Sequence, residues 1–331
     1  MWDEQSRLLS QLLAHLPIPH PVSHMASLRD IRGRIGSVKN TQQITRAMKM
    51  VAAAKLRRAQ ERIFTARPYA YKVREMIGHL RQQLDPTEHP LFQEREGVAG
   101  VLLIVVTSDR GLAGAFNTNL LKAAEVAIGE RYADLRAAGR LHVAAVGRKG
   151  HEYFASRGAT LEGDYRGFFT DLKFERAGEL AGLAVAGFVD GSWDRVELVY
   201  NEFKNTITQN RIVETLLPVP AEAFFTPVMA DTAGYNTSGA AVESVDYLFE
   251  PSAEALLERL LPEFLQYQIW RALLESNASE QGARLGAMDN ATTNAGELLR
   301  SLQLTYNRAR QAAITTEIIE ISSGAEALKD A

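Results

Sequence analysis

Two stretches, one at each end of the chain, place apolar or small residues at alternating steps of three and four. In the first, these are Leu28, Ile31, Ile35, Val38, Gln42, Thr45, Lys49, Ala52, Leu56, Ala59, Ile63 and Ala66, of which only Lys49 is charged. In the second they are Leu285, Met288, Thr292, Ala295, Leu299, Leu302, Tyr306, Ala309, Ala313 and Thr316, none of them charged. Alternating three and four is the spacing of a heptad seam, so each stretch is expected to be a long helix with one face covered. Ser27 with Asp30 three residues on is a short version of a capping box, and sets the start of the first helix. Residues 69–95 continue the helical pattern and end around Asp85-Pro86.

No proline lies between Pro262 and Gly324, and Ala, Leu, Glu, Gln and Arg dominate there. One helix over 263–325 would be roughly 95 Å long at about 1.5 Å per residue. A compact globule of this chain length has a radius of gyration of only about 20 Å. The helix must project, and the other seam is its natural cover. An antiparallel pair follows if the intervening residues form one domain from which both helices leave on the same side.

The middle of the chain changes period. Val101–Val106 and Leu141–Val146 are continuous apolar runs rich in β-branched residues, as in strands buried on both faces, and Arg195–Tyr200 and Ile212–Val219 read as two more. Helical stretches over 118–138, 151–157 and 176–188 alternate with them, which predicts a mostly parallel α/β, Rossmann-like sheet. The polar segment Asn205–Asn210 is placed to turn the last two strands into a hairpin. The expected division is an extension over 1–24, disordered or a short amphipathic helix, and coiled-coil helices over 25–67 and 250–328. An α/β domain over 68–225 and a linker over 226–249 complete it.

Charge separates the two helices. Arg29, Arg32, Arg34, Lys39, Arg46, Lys49, Lys55, Arg57, Arg58 and Arg62 face only Asp30 and Glu61, a net of +8, whereas residues 251–331 carry a net of −4. The excess points to an acidic protein surface, a nucleic acid or an anionic membrane, or to a merely solvated basic face. The whole chain carries only −3 over 331 residues, which argues against a chain built throughout for nucleic acid. Zero cysteines exclude disulfides, thiolate metal sites and cysteine nucleophiles. The apolar run from Val98 to Val106 is too short to span a bilayer, and Met1–His24 lacks the basic start, apolar core and cleavage site of a signal peptide.

Candidate chemistry is thin. Thr107 to Asn117 lies at a strand-to-helix turn, where glycines can bring backbone N–H groups to a phosphate. Its glycines sit only at Gly111 and Gly114, without a dinucleotide fingerprint or a P-loop Gly-Lys-Ser/Thr. The seven histidines form no helical metal-ligand pair. No cofactor or metal is expected, and no catalytic residue. A nucleotide-binding enzyme using the Gly111–Gly114 turn, and a basic coiled coil binding nucleic acid, remain the alternatives from other classes.

Four segments together carry a resemblance to a family. They are Met25-Ala-Ser-Leu-Arg-Asp-Ile-Arg-Gly-Arg-Ile with Asn40-Thr-Gln-Gln-Ile-Thr-Arg-Ala-Met-Lys-Met-Val-Ala-Ala-Ala-Lys; Ser108-Asp-Arg-Gly-Leu-Ala-Gly-Ala-Phe-Asn117; Met288-Asp-Asn-Ala-Thr-Thr-Asn294; and Tyr306-Asn-Arg-Ala-Arg-Gln-Ala-Ala-Ile-Thr315. They resemble the gamma subunits of bacterial-type rotary ATP synthases, over residues 25–328. The resemblance implies a rotor shaft without an active site, whose terminal helices pair inside a hexamer of alpha and beta subunits. The foot would bind the epsilon subunit and the membrane c-ring, peripherally on the cytoplasmic face of the plasma membrane. It further implies that Met48, Lys49, Lys55 and Arg57 face the acidic C-terminal lever of a beta subunit. Arg310, Gln311, Thr315 and Glu317 would meet loops of the hexamer. Two departures stand out. Ala113 replaces a Cys common in the family's turn, and residues 1–24 precede the usual start at Met25. N-terminal mass spectrometry of the native protein distinguishes a start at Met1 from one at Met25.

Overall fold

The computed structural model describes residues 27–83, 89–95, 97–220, 227–228, 250 and 252–327. The extension over 1–24, the helix end expected at Asp85-Pro86 and nearly all of the 226–249 linker lie outside the described residues. Among the described residues the elements are α1 (Leu28–Gln83), β1 (Val101–Val106), α2 (Phe116–Arg131), α3 (Ala133–Ala137), β2 (Leu141–Val146), α4 (Arg148–Ala155) and β3 (Thr160–Leu161). There follow α5 (Phe174–Val189), β4 (Arg195–Phe203), β5 (Gln209–Leu217) and α6 (Ala253–Ala327). They fall into two units, one of residues up to 42 and from 294 on, the other of residues 43–293.

The first unit pairs the start of α1 with the end of α6. The capping box forms: the Asp30 amide donates to Ser27 Oγ at 3.2 Å, and Asp30 Oδ2 accepts from the Ser27 amide at 3.2 Å. Ile31, Val38 and Ala295 are buried, and Leu28, Ile35, Gln42, Leu299, Leu302, Tyr306 and Ala309 are half-buried. A Cβ on Gly296 would lie 3.0 Å from Gln42 Nε2, so the two helices are in close contact there. That register brings Leu28, the first residue of α1, level with Arg310. Ala313 and Thr316 keep the seam spacing yet are exposed, as is every residue from Arg310 to Glu326, because the partner helix has run out.

The second unit is a three-layer sandwich around a five-stranded sheet of order β3-β2-β1-β4-β5. β1 runs parallel to β2 and β4, β2 parallel to β3, and β5 closes one edge antiparallel to β4. Every residue of β1 is buried, which is why its sequence shows no alternation. The alternation reappears in what each side chain meets. Val101, Leu103 and Val105 pack with Leu120, Ala124 and Ile128 of α2 and Phe154 of α4. Leu102, Ile104 and Val106 share a core with Leu180 and Ala184 of α5 and with Leu261, Leu265 and Ile269 of α6. The helix α6 starts at Ala253 and carries Pro262 inside it. A proline inside a helix costs about 3 kcal/mol, but Leu257, Leu261, Phe264 and Leu265 are buried around it. Each such side chain contributes about 1.5–3 kcal/mol on burial, so packing outweighs the defect. Leu56, Ala59 and Ile63 of α1 meet Leu274 and Ala278 of α6 against Phe203 of β4, which roots both helices on the sheet.

One buried ionic network ties α6 to the sheet. Arg271 donates through Nη2 to Glu214 Oε1 at 2.6 Å, through Nη1 to Tyr200 Oη at 2.8 Å and through Nε to Gln268 Oε1 at 3.2 Å. Burial pushes the Glu214 carboxyl above its ordinary range, and the Arg271 charge opposes the rise.

The turn after β1 is closed by its own side chains. The Asp109 carboxylate accepts backbone N–H groups of Arg148 at 3.0 Å, Gly167 at 2.7 Å and Phe169 at 3.0 Å. Asn117 Oδ1 accepts from the Ser108 amide at 3.0 Å, and Arg284 of α6 donates to the carbonyls of Arg110 and Gly111 at 3.3 and 3.1 Å. These contacts hold Leu112 at a φ of 61°, in the left-handed region that a branched side chain disfavours. Ala113 is buried, in keeping with a packing role.

Arg271→Met should destabilise the full chain by about 3–5 kcal/mol in guanidinium unfolding, because Glu214 then keeps a buried charge without its partner. Arg271→Met combined with Glu214→Leu should recover most of the loss. A raised carboxylate pKa favours the fold below the unfolded value of 4.5 and loses that contribution as pH rises through the folded value. The deficit of Arg271→Met should therefore be larger at pH 7 than at pH 4. Asp109→Asn, which sets an amide N–H₂ against one of three backbone donors, should cost about 2 kcal/mol.

Candidate functional site

The strand-to-helix turn, where a phosphate would be sought, has the Asp109 carboxylate in place of one. An anion arriving there meets backbone donors already engaged at the start of α4 and around Gly167. Among the described residues no group of His, Cys, Asp and Glu is placed to hold a metal ion.

Of the family-implied residues on α1, Met48 and Lys49 are half-buried, whereas Lys55 and Arg57 are exposed. Lys49 Nζ lies 2.6 Å from Asp289 Oδ1, with the two side chains 40% and 54% exposed. An exposed pair of this kind contributes at most about 1 kcal/mol and weakens with salt, so Lys49 can exchange it for another carboxylate cheaply. Arg57 Nε lies 3.2 Å from Glu61 Oε1 in the same helix. The other eight cations between Arg29 and Arg62 make no ion pair among the described residues.

Arg310, Gln311, Thr315 and Glu317 are all exposed on the unpaired end of α6. The Thr315 hydroxyl donates to the Gln311 carbonyl at 2.9 Å, which satisfies it within the helix and leaves its oxygen able to accept. The structure thus divides the eight residues between its two units, four on each. It also shows a feature that the family motifs did not single out. Ile314, Ile318, Ile319 and Ile321 are 49%, 60%, 61% and 67% exposed. Ile314, Ile318 and Ile321 are spaced by four and three, so the stripe was visible in the sequence, offset from the seam. Among the described residues no helix is long and apolar enough to cross a membrane.

Comparison with known proteins agrees with the geometry. A family model described as ATP synthase matches residues 27–328. An ATP synthase gamma chain of Salinibacter ruber is 58% identical over 306 residues, covering 92% of this chain and 99% of its own. One of Chloroherpeton thalassium is 50% identical over 307 residues, covering 92% and 99%. Among solved structures, a chain from the central stalk and c-ring of the Tetrahymena thermophila mitochondrial ATP synthase is 25% identical. Its TM-score is 0.50, and the match covers 75% of this chain and 99% of that one. A chain from the Euglena gracilis mitochondrial ATP synthase rotor has a TM-score of 0.59 at 21% identity, covering 87% and 98%, and speaks for the fold alone. The protein belongs to the ATP synthase gamma-chain family.

Proposed function

We propose that this chain is the central rotor shaft of an F-type ATP synthase. It couples proton flow through a membrane c-ring to the conformational cycling of catalytic beta subunits, and has no active site of its own. One observation carries the reading furthest: a coiled-coil helix that outruns its partner and stands exposed from Arg310 to Glu326. In this reading residues 25–67 and 250–328 form the shaft and residues 68–225 the foot. The foot binds the epsilon subunit and the c-ring, which keeps the complex on the cytoplasmic face of the bacterial plasma membrane. Met48, Lys49, Lys55 and Arg57 face the acidic lever of a beta subunit. Arg310, Gln311, Thr315 and Glu317 meet loops of the alpha/beta hexamer, with the isoleucine stripe seated in the same sleeve.

Weak contacts suit a shaft that must leave each orientation it enters. The unpaired cations act at long range and are screened by salt, and the exposed Ala53 and Ala312 keep the surface thin. The rival readings find less support. The Asp109 carboxylate beside the Gly111–Gly114 turn is a negative charge where a phosphate would be sought, and the basic face of α1 shares its helix with a seam already packed on α6.

The chain should co-purify with ATPase activity, and purification from the native source without that activity would sink the proposal. Lys55→Glu combined with Arg57→Glu should lower ATP-driven proton pumping several-fold more than ATP hydrolysis. Ala53→Leu or Ala312→Leu should lengthen the dwells of single-molecule rotation, and unchanged dwell times would count against weak, exchangeable contacts.

A further inference from the structure

Where α1, the β1–α2 turn and α6 converge within the sheet unit, a cleft of about 380 Å³ opens. That is the lower range of small-ligand pockets. Lys55, Arg58 and Arg62 of α1 stand along one wall and Arg110 on another. Among the described residues none of these four side chains has a carboxylate at ion-pair distance or a hydrogen bond. The two acids that line the cleft are already committed. Asp109 is turned onto three backbone N–H groups, and Glu280 is held by Arg284 Nη1 at 2.6 Å. Its floor contains two amides one helical turn apart on α6, Asn277 and Gln281. Gln281 is only 7% exposed, and neither amide makes a hydrogen bond to a described residue. An amide without a protein partner whose polar atoms stay open to the cleft, beside four cations that have no carboxylate at ion-pair distance, is placed to take an anion.

We propose that this cleft binds a compact polyphosphate anion, either inorganic pyrophosphate or the phosphate end of a nucleoside diphosphate. Tetrahedral oxyanions can accept from the floor amides and the cationic wall together, because their oxygens point in all directions. A carboxylate on a peptide presents two coplanar oxygens, and its backbone must run along the exposed rim above the floor. The site is separate from the Gly111–Gly114 turn, neither of whose glycines lines the cleft. It overlaps the rotor reading at Lys55, which a beta subunit would meet in the complex, so binding is sought in the isolated chain, where a failure leaves that reading untouched.

Equilibrium dialysis of the purified full chain against radiolabelled pyrophosphate, at low and at physiological salt, tests it. Saturable binding of one pyrophosphate per chain is expected, weakened at least tenfold by Asn277→Leu combined with Gln281→Leu. Arg110→Gln, on an exposed side chain, tests the wall without endangering the fold and should weaken binding about threefold or more. Competition by ADP but not by adenosine would identify the diphosphate as the recognised group, whereas displacement by pyrophosphate alone would restrict the site to the inorganic ion. Uptake that never saturates, or binding indifferent to both variants, would overturn the site and leave only condensation on a basic face. A polyglutamate peptide binding more tightly than pyrophosphate would overturn it in favour of an acidic protein segment.

Discussion

Everything in this chain depends on holding together two helices from its opposite ends. Thr292 Oγ1 donates to Thr45 Oγ1 at 2.9 Å across 247 positions of sequence, and Lys49 meets Asp289 across 240. Loop-closure entropy grows only with the logarithm of loop length, but it must be met before any such contact can form. The seam offers little in return at its centre, where Gln42, Thr45, Lys49 and Thr292 replace larger apolar side chains. The sheet domain resolves the difficulty. Its α5 and α6 face is a continuous apolar core, and once Leu261, Leu265 and Ile269 are seated, α6 presents Leu274 and Ala278 to Leu56 and Ile63 at short range.

Stiffness follows from the same division of labour. At the root, Arg271 holds Glu214, Tyr200 and Gln268 in the dry interior, where losing any one partner leaves a stranded charge or dipole. Such a network does little for net stability beyond what apolar packing would supply. It does fix which turn of α6 faces which strand. At the centre of the seam the contacts are Gln42, Thr45, Thr292 and one exposed ion pair, groups that water or a neighbour can also satisfy. A torque applied to the sheet would therefore meet a keyed joint at the root and a slender, weakly adhesive surface beyond it.

The long helices were the most legible part. All twelve positions of the first seam are buried or half-buried, and the Ser27–Asp30 box caps the helix as its spacing implied. Long repeats make each position redundant with its neighbours, which is why they read so well. β3 escaped notice because two residues carry no period. The overreach at Ala313 and Thr316 has another cause: spacing describes a helix, and only register says where its partner stops. Arg271, Glu214 and Tyr200 were invisible for the same reason as the Asp109 clamp. Their chemistry comes from elements far apart in sequence, and an isolated charge in a helical pattern looks solvated until the sheet is laid against it.

The unpaired end of α6 carries the last step. Ile314, Thr315, Thr316, Ile318, Ile319 and Ile321 are β-branched, and side chains of that kind lose rotamer freedom in a helix. The segment extends a helix already nucleated, so it needs no new nucleus, but its exposed side chains add little packing to hold it. Exposed isoleucines add a favourable term only when something covers them, at roughly 25 cal/mol for each Å² removed from water. Polar residues share the segment, among them Arg310, Gln311 and Glu317. A cover must then be apolar where the isoleucines lie and polar where they do not.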